Sequence, residues 1–249
     1  MPERLRLWPH RWPQALARVL LPSSCALCGA LGDDAVCAPC HAHYVAPGRA
    51  RCACCANPLP ENRGQSTVFC GGCLAERPAF DATVTAVDYA SPLDQLVLQL
   101  KFAGRLALAP WCARMLRDAV LAHPGFALPE LLCPVPLGPR RLVERGFNQA
   151  LEIARPLAAS LGVELQPRLA LRARDTPAQS GVSSSGRRAN IRGAFEVAPG
   201  ALERVQGRHI GIVDDVMTSG HTLDELAATF KQAGAARVSN LVFARTPPN

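Results

Sequence analysis

Four C-x-x-C pairs crowd the stretch 25–73: Cys25/Cys28, Cys37/Cys40, Cys52/Cys55 and Cys70/Cys73. Nine of the eleven cysteines in the 249-residue chain fall there. Two residues between thiolates let a tight turn aim both sulfurs at one metal, and two such turns complete a tetrahedral site. A disulfide framework belongs to secreted chains, and a repeated C-x-x-C is a poor template for it. All-thiolate sets leave no position open for water, so two structural zinc ions are expected. The simplest assignment is sequential: Cys25, Cys28, Cys37 and Cys40 hold one ion, and Cys52, Cys55, Cys70 and Cys73 the other. An interleaved pairing is left open, as is a role for Cys54 in place of Cys55. The segment has few large apolar residues, so it depends on metal to fold; structural zinc contributes about 10–16 kcal/mol. His41 and His43 read as surface residues, Cys112 and Cys133 as ordinary core thiols.

Ahead of the cysteines, Arg4 and Arg6 precede an apolar stretch, Ala15–Leu21. Pro9, Pro13 and Arg18 interrupt it and no small-residue cleavage site follows, so a short amphipathic helix is expected rather than a secretory signal. No run of about 18 apolar residues exists, which argues against a membrane span. A cytoplasmic location follows from these readings. The expected organisation is an N-terminal helix and double zinc ribbon over 1–78, then an α/β domain over 79–249.

From about Phe80 the pattern alternates. Ala82–Tyr89 reads as a strand, Leu93–Lys101 and Leu106–Ala122 as helices, Leu131–Val135 as a buried strand. Ala150–Leu161 reads as a helix stopped by Gly162. Such alternation argues a mostly parallel sheet with flanking helices. Charge is uneven as well. Of the net +7, residues 137–192 supply ten Arg against four acids, and 25 of the 27 basic residues are Arg. The planar guanidinium suits phosphate oxygens, so the clustering suggests a polyphosphate ligand or a nucleic acid.

The segment Arg208–Thr222, RHIGIVDDVMTSGHT, carries the sharpest signal. Ile210–Val213 is a short apolar run, Asp214 and Asp215 stand at its end, and Thr218–Thr222 lead into a helix over Leu223–Ala233. Ligands of open α/β sheets bind at that edge. The loop offers backbone N–H groups at a helix N-terminus, a phosphate cradle. Gly220 allows close approach of an anion, and Thr218, Ser219 and Thr222 add hydroxyls. Paired carboxylates beside a phosphate need another object, and ribose hydroxyls fit.

This segment resembles the phosphoribosyl-diphosphate motif of type I phosphoribosyltransferases. The resemblance implies that Asp214 and Asp215 hold ribose and that Met217, Thr218, Ser219, Gly220, His221 and Thr222 surround the 5′-phosphate. Three more segments join it: LQLKFAGR with Lys101, Phe102 and Arg105; PVPLGPRRLVERGFNQ with Arg140, Arg141, Arg145, Asn148 and Gln149; and TPAQSGVSSSGRRANIRGAF with Arg187 and Arg188. With the cysteine knuckles in front, their order resembles the ComF family, competence-associated phosphoribosyltransferase-like proteins, over essentially the whole chain. That resemblance implies a type I phosphoribosyltransferase-like sheet, 5-phosphoribosyl-1-diphosphate with Mg²⁺ as ligand, and a place in DNA uptake during natural transformation. Arg140, Arg141 and Arg145 are expected near the diphosphate. The loop Ser183–Arg192 is expected to close over it, with Arg187 and Arg188 joining Arg145 in stabilising the leaving charge. Two alternatives stand beside phosphoribosyl transfer: a single-stranded-DNA-binding protein working with DNA-uptake helicase machinery, and a phosphoribosyl-diphosphate sensor without turnover.

Overall fold

The computed structural model describes residues 23–45, 49–60, 69–173 and 193–247. The helix expected over Ala15–Leu21 lies outside them. Packing divides the chain into two compact units, Met1–Val45 and Ala46–Asn249.

The first unit carries one cysteine cluster. A two-residue antiparallel pair, β1 (Ser23–Ser24) with β2 (Leu31–Gly32), closes the first knuckle, and helix α1 (Ala38–Tyr44) follows the second. Cys25 and Cys40 are buried within it. Apart from the sulfurs its described core is small, Val36 and Ala35 being its other buried residues.

The second unit begins with the other cluster, whose last knuckle opens the short helix α2 (Gly71–Ala75). The sequence alone groups both clusters in 1–78, but the packing division falls ahead of the second. Cys52, Cys54, Cys55 and Cys73 share a core with Phe80, Met217 and Leu223, so this ribbon belongs physically to the α/β sheet.

The sheet starts with β3 (Ala82–Asp88), followed by α3 (Leu93–Phe102) and α4 (Leu108–Ala122). Then come β4 (Leu131–Pro134), α5 (Pro139–Arg145), α6 (Gln149–Leu161) and β5 (Glu164–Leu165). A hairpin of β6 (Ala170–Arg172) with β7 (Phe195–Val197) and a short helix α7 (Leu202–Val205) lead to β8 (His209–Met217), α8 (His221–Gln232) and β9 (Arg237–Arg245). Five strands pair in the order β3-β9-β8-β4-β5, every neighbour parallel. Strand β4 leads outward to β5, whereas β8 leads the other way to β9. The direction of winding therefore reverses between β4 and β8, and the crevice at their C-terminal ends is where such sheets take ligands.

Side-chain alternation on the central strands sorts the core. Ile210, Ile212, Val238 and Val242 face the layer that holds Leu223, Leu226 and Phe230 of α8. The opposite face is covered by α4 and α6, which pack on β3, β9, β8 and β4. Trp111 of α4 meets Phe243 of β9 edge-on, with centroids 5.8 Å apart. The α6 stripe Ala150, Ile153, Ala154, Leu157 and Ala158 is fully buried, the i, i+3, i+4 spacing of an amphipathic helix. Its start is fixed by Asn148, whose side chain accepts from the N–H groups of Ala150 and Leu151, and its stop by left-handed Gly162. Strand β8 runs longer than its apolar core suggests. It continues through Asp214–Met217, because Val216 and Met217 keep register with Ala244 and Arg245 of β9.

Candidate functional site

The cysteines assemble as two sequential sets. The sulfurs of Cys25, Cys28, Cys37 and Cys40 lie within 4.8 Å of one another, as do those of Cys52, Cys55, Cys70 and Cys73. A tetrahedron with zinc–sulfur bonds of about 2.3 Å has sulfur–sulfur edges of about 3.8 Å. Cys28 and Cys37 stand 3.7 Å apart and Cys55 and Cys70 3.5 Å, so both sets fit zinc. Backbone N–H groups prepare the ligands. Cys25 Sγ accepts from Leu27 and Cys37, both at 3.4 Å, and Cys52 Sγ from Cys70 at 3.2 Å. The Cys52 thiol is pulled down to about 4, first by the neighbouring Cys55 thiol and then, against burial, by backbone donors. Cys54 stays outside the set and donates its thiol to the carbonyl of Phe80.

At the end of β8, Asp214 and Asp215 are both buried, Asp215 at 2% exposure. Asp214 Oδ1 accepts from the Asp215 N–H at 2.9 Å. Burial pushes the Asp214 carboxyl well above the usual carboxylate range, and the adjacent Asp215 charge adds to the rise while Lys101 opposes it. Lys101, in the last turn of α3, places Nζ 2.7 Å from Asp215 Oδ2, an oxygen that accepts no other well-directed hydrogen bond. The sequence names Lys101 only as a helix end. Its signal is one of only two lysines in an Arg-dominated chain, placed at the tip of an apolar helix.

Of the arginines expected near the diphosphate, Arg145 comes to the acids. It is half-buried in the last turn of α5 and bonds Gln149 Oε1. Burial lowers its pKa, and the Asp215 charge opposes that fall. Its guanidinium also lies over the Phe102 ring, 5.4 Å from the centroid. Arg141 is close enough to press on the Arg145 charge. Arg140 points to solvent, 80% exposed, and pairs with Glu144 one turn along at 2.8 Å. Arg187 and Arg188 lie outside the described residues. The hairpin β6–β7 flanks their segment on both sides, and Gly193 donates its N–H to Glu225 of α8 at 2.6 Å.

The phosphate loop has exposed Thr218 and Ser219, buried Gly220, and half-buried His221 and Thr222 opening α8. Gly220 adopts φ +85°, and a Cβ there would fall 2.6 Å from Met217 Cε. Glycine is thus favoured by conformation, and any Cβ would also require the Met217 methyl to move. Met217 is itself buried beneath the loop. The first N–H groups of α8 have no partner within the helix and aim at the loop's concavity.

Arg245, unremarked in the sequence reading, braces this loop. It ends β9 in register with Met217 and is 6% exposed. Its Nη1 donates to the carbonyls of Met217 at 3.0 Å, Thr246 at 2.7 Å and Thr218, while Nε donates to Cys55 at 3.0 Å. One side chain therefore joins the phosphate loop to the second cysteine set. Beside it a cleft of about 200 Å³ runs between the two, lined by Asn57, Arg77, Phe80, Ser219, His221 and Asp224 among others. Ala79 N–H to Asp224 at 2.7 Å and Arg51 to Asp88 at 2.8 Å complete the attachment of the ribbon to the sheet edge.

Fold and site together define a phosphoribosyltransferase-type domain that carries a double zinc ribbon. Residues 16–74 match the double zinc ribbon domain family and residues 148–247 the phosphoribosyl transferase domain family. DNA utilization protein YhgH of Escherichia coli (strain K12) is 36% identical over 233 residues, covering 91% of this chain and 98% of that one. Competence protein F of Haemophilus influenzae is 34% identical over 173 residues, 68% of this chain and 75% of that one. The chain belongs to the ComF family. Among solved structures, the allosteric regulatory enzyme of purine biosynthesis aligns over 55% of this chain and 25% of its own, at 17% identity and a TM-score of 0.35. An asparagine mutant of an HPRT aligns over 55% and 63%, at 16% identity and 0.31. Among the described residues no helix is long and apolar enough to cross a membrane.

Proposed function

We propose that the chain binds 5-phosphoribosyl-1-diphosphate with Mg²⁺ at the β4–β8 crevice and acts as a phosphoribosyltransferase-like protein in DNA uptake. The observation that carries this is the joining of Asp214–Asp215, the Gly220 loop and the cations Lys101 and Arg145 at one sheet edge. The ribose hydroxyls donate to the acids, and the α8 N-terminus with the loop hydroxyls takes the 5′-phosphate. Arg145 faces the diphosphate, and Arg141 follows it. In the transfer itself the bond from the anomeric carbon to the diphosphate oxygen breaks and a bond to an acceptor nitrogen forms. Developing negative charge on the leaving group meets Arg145, and preorganised donors of this kind supply the main stabilisation. Mg²⁺ neutralises the diphosphate and is held chiefly by substrate oxygens and water. The acid pair fits that division: Asp215 is already matched by Lys101 and Asp214 is held toward its neutral form, which suits hydroxyl partners better than a bare cation.

The DNA-uptake setting rests on kinship with proteins named for DNA utilization and competence. A second reading, single-strand binding without turnover, draws on Phe102, which is 74% exposed with Arg145 across its ring. Such a pair can stack an unpaired base. The discriminating experiment titrates Mg-phosphoribosyl diphosphate and, separately, an oligodeoxynucleotide over a range of salt. Sugar-phosphate binding lost with Asp214→Asn/Asp215→Asn supports the first reading. A steep salt dependence for the oligonucleotide, with no sugar-phosphate binding, supports the second.

A further inference from the structure

We infer that Arg245 is a positioning residue through which the second cysteine set, and not the first, holds the phosphate loop in its binding shape. The inference rests on the ligand reading above for its consequence, though not for its geometry. Arg245 sits in a place a sheet would ordinarily give to an apolar residue: the final position of β9, beside the apolar run Leu241–Ala244. A cation there must be matched or it costs several kcal/mol. No carboxylate lies within ion-pair distance of it among the described residues. Its hydrogen bonds go instead to four carbonyls: Met217 and Thr218 at the loop, Thr246 just past the end of its own strand, and Cys55 of the metal set.

The missing counter-charge is the metal site itself. Four thiolates around a Zn²⁺ would carry a formal net charge of −2, and Cys55, whose carbonyl takes the Nε hydrogen bond at 3.0 Å, supplies one of them. The guanidinium fork then acts as a bracket. Nε fixes its plane against Cys55, and that plane aims Nη1 at the loop carbonyls. Turning those carbonyls toward Arg245 leaves the loop N–H groups facing the opposite, anion-binding side. If the second set opens, Cys55 loses its place, the fork rotates, and the loop loses its brace. The unequal roles of the two sets follow from Arg245 bonding Cys55 of the second set, which shares one compact unit with the loop. A lysine at 245 keeps the charge but brings one ammonium where the fork makes contacts in two directions.

The test uses the full chain in three forms: wild type, Arg245→Lys, and Cys28→Ser in the first set. Zinc per chain is measured by atomic emission, loop order by hydrogen exchange of a 215–225 peptide, and affinity by calorimetric titration of Mg-phosphoribosyl diphosphate. Arg245→Lys is expected to keep both zinc ions, to speed exchange in the loop at least tenfold, and to weaken binding tenfold or more. Cys28→Ser is expected to lose one zinc ion and leave loop exchange and affinity within twofold of wild type. Should Arg245→Lys misfold, wild type stripped slowly by a chelator gives the same answer: loop exchange must rise with release of the zinc that Cys28→Ser retains. Wild-type exchange in Arg245→Lys, or equal loosening by Cys28→Ser, overturns the inference. Loop exchange that responds as expected in a protein that binds no phosphoribosyl diphosphate sinks the ligand reading alone.

Discussion

Replacing Lys101 by Met removes the ammonium in contact with Asp215 while keeping an unbranched apolar stem only one atom shorter. Its Nζ lies 2.7 Å from an Asp215 side chain that is 3% exposed, and Lys101 itself is 22% exposed. Breaking a buried ion pair by deleting one partner costs about 3–5 kcal/mol, and the partial exposure of Lys101 places this case at the lower end, about 3 kcal/mol. For a unit of this size that corresponds to a fall in Tm of roughly 6–12 °C. The loss must also depend on pH. Burial, then the Asp215 charge, already hold the Asp214 carboxyl above the ordinary range, with Lys101 pulling it back. Without Lys101 the folded Asp214 carboxyl keeps its proton to still higher pH than it does in the unfolded chain. The folded state then binds more protons than the unfolded one as pH rises from about 4, and stability falls with pH. Urea denaturation followed by circular dichroism at pH 5 and pH 8 should give a smaller deficit at pH 5. In an Asp215→Asn background the same substitution should cost under about 1 kcal/mol, since the partner charge is gone. A loss below about 1 kcal/mol at pH 8, or one indifferent to pH and to Asp215→Asn, would refute the coupling of Lys101 to the acids.

Asp214→Asn removes a buried carboxyl whose ionisation the fold opposes, so thermal unfolding at pH 8 should shift up by a few degrees while phosphoribosyl-diphosphate binding is lost. A lower Tm would count against the burial argument. Gly220→Ala places a Cβ at φ +85° and 2.6 Å from Met217 Cε, and should cost about 1–3 kcal/mol in denaturation together with most ligand affinity. Asn148→Ala deletes the cap of α6 and its bond to the Val135 carbonyl at 3.0 Å. A loss of about 1–2 kcal/mol, read by urea denaturation, is expected.

The clearest elements in the sequence were those set by local chemistry. C-x-x-C spacing spelled out the knuckles, Gly162 stopped α6, and the apolar run before two acids announced β8. Three features escaped for a common reason: they depend on which strands become neighbours. The apolar run Ile210–Val213 marks the strand only as far as the two acids, yet pairing with β9 carries β8 through Met217. Arg245 lies thirty residues beyond the acids, where no local pattern marks it. Only the parallel register with Met217 turns it into a brace. Likewise the second cysteine set has the same local pattern as the first, and nothing in that pattern shows that it shares a core with Phe80 and Met217. The five arginines named as diphosphate ligands were indistinguishable by composition. For the three on α5 the helix phase separates two: Arg145 feels the Asp215 charge, and Arg140 pairs with Glu144 in solvent.

The most direct measurement is a calorimetric titration of Mg-phosphoribosyl diphosphate into the zinc-loaded wild type and into Asp214→Asn/Asp215→Asn. Saturable binding to the wild type that the double substitution abolishes, with both proteins folded, is the expected result. A folded, zinc-loaded wild type that gives no binding heat would contradict the assignment of the β4–β8 crevice as a phosphoribosyl site.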